Sequence, residues 1–338
     1  MKDEEFLSDA RKRLSDLVDE ESDLRNKMED DLRFCTLDQW PSEIRIQRES
    51  DPNGARPCLT IDKINQYIVQ VVNDARQNRP AIKVRPVDDT ADVDTAKVMQ
   101  GLCRHIEDRS SASVSYQMGI ESAVKIGMGY WRVVTKMVNK KDNEQEILIE
   151  PIPNAFTVYL GLHTMPDGSD AETGFIIQQM AKEKFERLYP KAKTAAQDFQ
   201  EIDDKIGFWR TESTVTVCEY FYCEYDGSEK LGVKWCKMTG VEVLERGDWP
   251  GKYIPIVEVI GRESIVKGKR ILWGLVRPAK DSLRMNNYWM SAITEKIGLA
   301  PKVPFIGAKG QFEGVEHAWK NANRENRAYL EYAVVDVN

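Results

Sequence analysis

The stretch "ESAVKIGMGYWRVVTKMV", from Glu121 to Val138, decides the fold class because the residue pattern changes within it. Its first residues complete a helical pattern that covers about Ser113 to Ile126. Gly127 and Gly129 then supply helix stop signals, and the residues after them form a β-rich run. The stretch therefore predicts helices before it and strands after it.

Three further segments before this point carry the apolar spacing of helices. The first, residues 3–34, is strongly charged, with 12 acidic against 6 basic residues. A solvated helix surface and an acidic docking surface both explain that excess. The second is "INQYIVQVVNDARQNRP", from Ile64 to Pro80, and the third begins near Asp92.

The remainder of the first 270 residues is dominated by β-rich runs with turn residues between them. A short helix, "AKEKFERLYP", interrupts the series. The runs are "YWRVVTKMV", "QEILIEPI", "AFTVYL", "FIIQQM", "STVTVCEYFYCEY", "LGVKWCKM", "VEVLE" and "YIPIVEVIG". Helices followed by a meander of strands predict an α+β fold with antiparallel pairing.

A long helix is predicted within "RPAKDSLRMNNYWMSAITEKIGLAPKVPF", from Arg277 to Phe305. Pro278 suits its first turn, and Gly298 with Pro301 suits its end, which leaves Asp281 to Ile297 as the helix. At about 100° per residue, five polar side chains share one narrow face. They are Arg284, Asn287, Ser291, Thr294 and Glu295.

Apolar side chains cover most of the remaining circumference of this helix. They are Leu283, Met285, Tyr288, Trp289, Met290, Ala292, Ile293 and Ile297. An arc this wide predicts neighbours on at least two sides. Those neighbours are either the rest of the same monomer or equivalent helices of adjacent subunits.

The net charge of the whole chain is negative, whereas that of the segment from Arg277 to Lys309 is positive. The net charge is -7 with a pI near 5.3, which argues against a broad basic surface that grips nucleic acid. The segment from Arg277 to Lys309, by contrast, contains six basic and only two acidic residues. Scattered surface charge, with Lys296 favourably placed at the helix C-terminus, explains this excess. The alternative is a local site for DNA or an acidic partner.

Sequence motifs for catalysis are missing. There is no nucleotide-binding P-loop, H-E-x-x-H, G-x-S-x-G or kinase signature. The carboxylates of "DDTADVD", between Asp88 and Asp94, would suit Mg²⁺, but they precede a helix, where acids favour the N-terminal dipole. We therefore predict no catalytic, cofactor or metal residue. A Mg²⁺-dependent nucleic-acid enzyme is the alternative.

The cysteines and the apolar runs indicate in which cellular compartment the protein folds. None of the six cysteines forms a C-x-x-C pair, and Cys218 and Cys223 lie on opposite faces of a predicted strand. They are expected to be free thiols. No apolar run approaches the ~20 residues of a membrane span, and "MKDEEFLSDARKR" lacks the apolar part of a signal peptide. We expect folding in a cytoplasm, without a membrane partner.

Several segments in a fixed order resemble the portal proteins of short-tailed, podovirus-type phages. The N-terminal ones are "RFCTLDQWP" (Arg33 to Pro41) and "QYIVQVVNDARQNRPAIKVRPVDD" (Gln66 to Asp89). The next are "GIESAVKIGMGYWRVVT" and "IEPIPNAFTVYL". The last is "GLVRPAKDSLRMNNYWMSAITEKIGLAPKVPFIGAKGQFEGVE", which runs from Gly274 to Glu316.

This resemblance implies a ring-shaped head-to-tail connector, usually a dodecamer, through which DNA is packaged and ejected. Its partners would be copies of itself, the terminase, tail or head-completion proteins, and double-stranded DNA in the channel. Assembly would occur in the host cytoplasm, and the ring would lie at a capsid vertex of the virion. The role is structural and not enzymatic.

By position, the resemblance implies a wing-like α+β region at 1–270, a stem helix at 271–300 and a partial clip at 301–338. The narrow polar face of the stem helix would face the channel. Met285, Tyr288, Trp289, Ile293 and Ile297 would pack between subunits, and Lys302, Phe305 and Lys309 would belong to the clip.

Two features depart from the family pattern. The stretch "VYLGLHT" lacks an Asp-Pro-like turn, which leaves that loop unassigned. The sequence ends at Asn338, before the returning helix and crown that the resemblance implies, so a fragment is expected. An adaptor that binds one partner without forming a ring is a further alternative.

Overall fold

The computed structural model describes residues 3–50, 56–78, 82–87, 92–138, 144–190, 192, 214–227, 229–240, 242–298, 305–322 and 329–334. The chain divides into two compact units. The first contains Met1–Gln39 and Asp62–Leu283, and the second contains Trp40–Ile61 and Arg284–Asn338. Residues 40–61 thus group with the C-terminal residues, although their sequence position lies within the predicted wing-like region.

The described residues confirm the predicted α+β class, with helices first, strands next and then a long helix. The helices are α1 (Asp3–Cys35), α2 (Ser42–Glu49), α3 (Ile64–Gln77), α4 (Val93–Arg109), α5 (Ala112–Ile126), α6 (Lys182–Leu188), α7 (Val276–Gly298) and α8 (Glu316–Asn321). The strands are β1 (Met128–Met137), β2 (Gln145–Pro151), β3 (Val158–Leu160), β4 (Thr173–Ala181), β5 (Thr214–Asp226), β6 (Glu229–Met238), β7 (Val243–Trp249), β8 (Ile256–Ile260), β9 (Arg262–Val266) and β10 (Lys269–Trp273).

The strands form antiparallel sheets in the first unit. The larger sheet has the order β3-β4-β5-β6-β7, as expected for a meander. A second sheet has the order β2-β1-β8, in which Met128 pairs with Ile260. Strands β9 and β10 form a hairpin. The pairing of β1 with β8 joins strands far apart in sequence, which local patterns cannot predict.

Helix α1 is long enough to contribute to two apolar clusters. Leu7, Ala10, Leu14 and Val18 lie on one face at helical spacing and pack in a cluster with residues of β3 to β6. Further along the helix, Met28 joins the cluster around β1, β8 and the end of α5. The predicted apolar spacing of this helix lies on its buried face at Leu7, Leu14 and Met28, whereas Leu32, near its end, is exposed.

Glycines allow the backbones around the change from helix to strand to come close together. Gly127 ends α5 with a φ of 101°, and a Cβ atom there would overlap the backbone of Trp273. A Cβ at Gly129 would overlap the carbonyl oxygen of Gly119. The predicted stop at Gly127 is confirmed, and the glycines also make room for the close packing of α5, β1 and β10.

Replacing Gly129 by alanine is expected to lower the free energy of unfolding by about 1–3 kcal/mol, because the added methyl group overlaps backbone that cannot move aside. Urea denaturation measures the change. Gly232→Ala is the matched control, since a Cβ in that strand meets no atom within 4 Å. Equal effects of the two substitutions would contradict this account of the junction.

A buried ion cluster holds the start of α7 within the first unit. The carboxylate of Asp31 is fully buried, and it lies 2.8 Å from the guanidinium of Arg277 and 2.6 Å from Nζ of Lys280. Arg277 also donates to the carbonyl oxygen of Leu272. Two of the six basic residues between Arg277 and Lys309 therefore serve intramolecular contacts.

A second buried cluster surrounds Glu258 in β8. Its carboxylate accepts hydrogen bonds from the hydroxyl of Tyr130 at 3.0 Å and from Nη2 of Arg270 at 2.9 Å, and it lies 2.8 Å from Nε2 of His163. Burial and the Arg270 guanidinium, 2.7 Å from Nε2, both lower the pKa of His163, but the contacts with Glu258 and the Gly161 carbonyl outweigh them and raise it.

The raised pKa of His163 predicts a dependence of stability on pH. The contribution of protonated His163 is fully present below its ordinary pKa of 6.5 and is lost as pH rises through the higher folded value. The free energy of unfolding should therefore fall in this window, and His163→Gln should flatten that slope. Urea titrations between about pH 5 and pH 8 test this. The same slope in both proteins would rule it out.

Candidate interaction surface

Helix α7 contains 23 residues from Val276 to Gly298. It begins five residues before the predicted start at Asp281, because Val276 is fully buried in a cluster with Phe34, Ile64 and Ile68. Pro278 lies in its first turn, as predicted. The part of the helix that belongs to the second unit begins at Arg284.

Residues 40–50 and 56–61 provide contacts to the polar face of α7, and we call these two stretches the clasp. Ser291 is 0% exposed and its Oγ accepts a hydrogen bond from the backbone N–H of Leu59 at 2.9 Å. Asn287 is 1% exposed and its Oδ1 accepts from the N–H of Ile61 at 3.0 Å. The two bonds thus join N–H groups two residues apart in the clasp to side chains four residues apart, about one turn, on α7.

Ionic and aromatic contacts complete the attachment of the clasp. Glu295 on α7 lies 2.8 Å from the guanidinium of Arg48 and 3.4 Å from that of Arg56. Arg48 is buried, donates to the carbonyl oxygen of Pro57 at 3.1 Å, and lies 5.4 Å from the ring centre of Tyr288. The clasp helix α2 was not predicted from the sequence, because it has eight residues and its buried side chain is an arginine.

The narrow polar face predicted to line a channel is thus largely covered by the same chain. Asn287, Ser291 and Glu295 contact the clasp. Arg284 is half-buried, and Thr294 is exposed with its hydroxyl bonded to the Met290 carbonyl. The periodicity places these residues on one face, but it does not reveal that backbone N–H groups of the clasp donate to that face.

Six of the eight residues in the wide apolar arc of α7 are exposed, whereas Leu283 and Ala292 are half-buried. Trp289 is 58% exposed, and Met285, Tyr288, Met290, Ile293 and Ile297 are also exposed. A helix on the surface of a monomer normally turns such residues inward. Here the polar face is covered and the apolar face is open, and an exposed apolar patch of this kind marks an interaction site. We call these six residues the apolar face of α7.

The predicted clip residues lie in the second unit. Phe305 packs edge-on against Trp319 with ring centres 5.0 Å apart, and Lys309 is exposed. Trp319 donates through Nε1 to the carbonyl oxygen of Glu331 at 2.6 Å. Lys302 lies outside the described residues.

The carboxylates considered for Mg²⁺ do not form a site in the described part of the chain. Asp92 caps α4, accepting from the N–H groups of Asp94 and Thr95, and its hydrogen bonds to Thr95 and Asp94 lower its pKa. Asp94 pairs with Lys97. Asp88 and Asp89 are outside the described residues. Among those described, no group of three or more His, Cys, Asp or Glu is arranged to hold a metal ion.

None of the helices that the structure describes has both the length and the apolar character needed to cross a membrane.

Comparisons with known proteins agree with the resemblance in the sequence. The family model for phage P22-like portal proteins matches residues 11–336. A portal protein of Acyrthosiphon pisum secondary endosymbiont phage 1 is 24% identical over 357 residues, a match that covers 91% of this chain. The chain spans about half the length of that relative, 49%.

Removing the acceptors on α7 should loosen the clasp. In the double variant Asn287→Ala/Ser291→Ala, the N–H groups of Leu59 and Ile61 lose their partners, and hydrogen exchange at these two amides should speed up at least tenfold, about 1.4 kcal/mol. Thr294→Ala, also on α7 but exposed, is the control. Unchanged exchange in the double variant would mean that the two bonds do not hold the clasp.

Proposed function

Since the chain belongs to the phage P22-like portal protein family, we propose that it is a structural, non-enzymatic part of a ring-shaped head-to-tail connector for packaging and ejecting DNA. Because the chain covers about half of its relative, 49%, the ring, its DNA channel and its docking partners are proposed for the whole protein. Hydrolysis of ATP would be left to a partner, the terminase, in keeping with the absence of a P-loop sequence.

The observation that carries this proposal is the exposed apolar face of α7. All five residues expected from the sequence to pack between subunits, Met285, Tyr288, Trp289, Ile293 and Ile297, are among its members. A closed ring repeats one contact around its axis, so every subunit has to hide the same surface. Copies of the chain are therefore the occupants that we assign to this face.

The negative net charge of the chain supports the proposed DNA channel. A channel through which DNA slides should avoid many phosphate contacts, since each one adds a salt-dependent grip. The net charge of -7 supports such a role. Of the polar residues of α7, Thr294 and the half-buried Arg284 remain our candidates for the channel side, while Asn287, Ser291 and Glu295 are assigned to the clasp.

The remaining assignments are proposed from the family alone. Residues from Lys302 to Lys309 would form part of a clip that docks the terminase and later the tail. The wing, stem and clip regions keep their sequence-based limits of 1–270, 271–300 and 301–338. The assembled ring would occupy a capsid vertex after assembly in the host cell, and a dodecamer is expected.

Electron microscopy and sedimentation of the protein as encoded test the proposal. We expect rings with a central channel, and Trp289→Asp/Ile293→Asp should reduce the ring fraction more than tenfold, since central aromatic anchors contribute about 2 kcal/mol or more. Thr294→Asp is the matched control on the same helix. A strictly monomeric wild type would refute the ring and favour an adaptor that binds one partner.

A further inference from the structure

We propose that neighbouring subunits meet head-to-tail through two different surfaces of the second unit: the apolar face of α7 on one copy packs against the outer surface of the clasp on the next. This inference rests on the proposed ring and specifies its interface. The outer clasp surface is defined by Ile46 with Glu43 and Glu49, which share one side of α2 because they are three residues apart.

A ring requires such a pair of surfaces. In a dimer with twofold symmetry, one patch can pack against its own copy. In a ring of more than two subunits, each subunit presents one surface to its left neighbour and a different one to its right neighbour. The apolar face of α7 therefore needs a complementary surface elsewhere on the chain.

The two surfaces lie on opposite sides of the second unit. Ser291 marks the side of α7 that contacts the clasp. At about 100° per residue, Trp289 and Ile293 each lie about 160° away from it. On α2, Arg48 reaches Glu295 of α7, and Ile46 lies about 160° around from Arg48. Both surfaces thus point away from the contact between α7 and the clasp.

The apolar face of α7 and the outer clasp surface have complementary chemistry. Ile46 is 62% exposed and is flanked by the exposed acids Glu43 and Glu49. Lys296 is exposed on α7, about 20° from Trp289 around the helix. Among the described residues, no ion pair is formed by Lys296, Glu43 or Glu49. An apolar centre with opposite charges at its rim is the usual composition of a specific protein interface.

Two single substitutions separate this arrangement from contact between two α7 faces. Trp289→Asp damages only the α7 face, and Ile46→Asp damages only the outer clasp surface. Each variant alone should form no rings. Mixed in equal amounts, the intact α7 face of one should bind the intact clasp of the other, which gives a dimer that cannot extend.

Native mass spectrometry or analytical ultracentrifugation measures these species in the protein as encoded. Gln47→Asp on α2 and Thr294→Asp on α7 are the controls, since both residues are exposed but lie about 100° from Ile46 and about 140° from Trp289 around their helices, away from the apolar centres of the two surfaces. Circular dichroism and hydrogen exchange at Leu59 and Ile61 confirm that each variant is folded with its clasp in place. Intact rings in both controls, none in either variant, and dimers in the mixture would support the inference.

Other outcomes reject it. Rings that persist in Ile46→Asp, or a mixture that stays monomeric, would overturn the head-to-tail contact while leaving the proposed ring standing. Absence of rings in the wild type would remove the proposed function and this inference together. Lys296→Glu provides a second test: it should weaken assembly at least tenfold, and adding Glu43→Lys/Glu49→Lys in the same chain should restore it. Failure to restore assembly would count against the charge pairing.

Discussion

The second unit depends on the hydrogen bonds by which α7 holds the backbone of the clasp at Leu59 and Ile61. A backbone N–H that loses water without gaining an acceptor costs free energy, and the N–H groups of Leu59 and Ile61 lie in a partly buried position against α7. Ser291 and Asn287 supply the acceptors, one helical turn apart. This requirement turns the polar side of α7 toward its own chain. Trp289 and Ile293 lie about 160° around the helix from Ser291, so they face away from the clasp and are exposed.

Buried ion pairs make the contacts of α7 selective for one alignment of the helix. In the second unit, Glu295 pairs with Arg48, which also contacts Pro57 and the ring of Tyr288. In the first unit, Asp31 pairs with Arg277 and Lys280 at the start of α7. Buried ion pairs add little net stability compared with apolar packing, but removing one partner costs about 3–5 kcal/mol. Such pairs therefore disfavour other alignments of the helix more than they strengthen the correct one.

Much of the first unit could be predicted from the sequence. The spacing of Leu7 and Leu14 located α1, and the change at Gly127 marked where strands begin, because both signals are local. The hairpin of β9 and β10 was missed. All five residues of β9 are exposed, so the strand has no buried apolar alternation, and its turn depends on positive φ at Lys267 and Gly268.

The candidate site was predicted only in part, because its contacts join residues that are far apart in the sequence. Periodicity separated the polar and apolar faces of α7, but it could not identify what covers each of them. The cover of the polar face comes from residues more than 200 positions earlier, such as Leu59 against Ser291, with a sequence separation of 232. The same limitation hid Arg48, whose role appears only when Glu295 is brought beside it.

The central claim is that the apolar face of α7 is hidden by another copy of the chain. Oxidative footprinting tests it most directly, by comparing the reactivity of Trp289 in the dissociated and assembled protein. Tyr225, exposed on a strand of the first unit, provides the reference. The account predicts that assembly lowers the oxidation rate of Trp289 severalfold relative to Tyr225. Rings in which Trp289 oxidises as fast as in the separate subunits would contradict it.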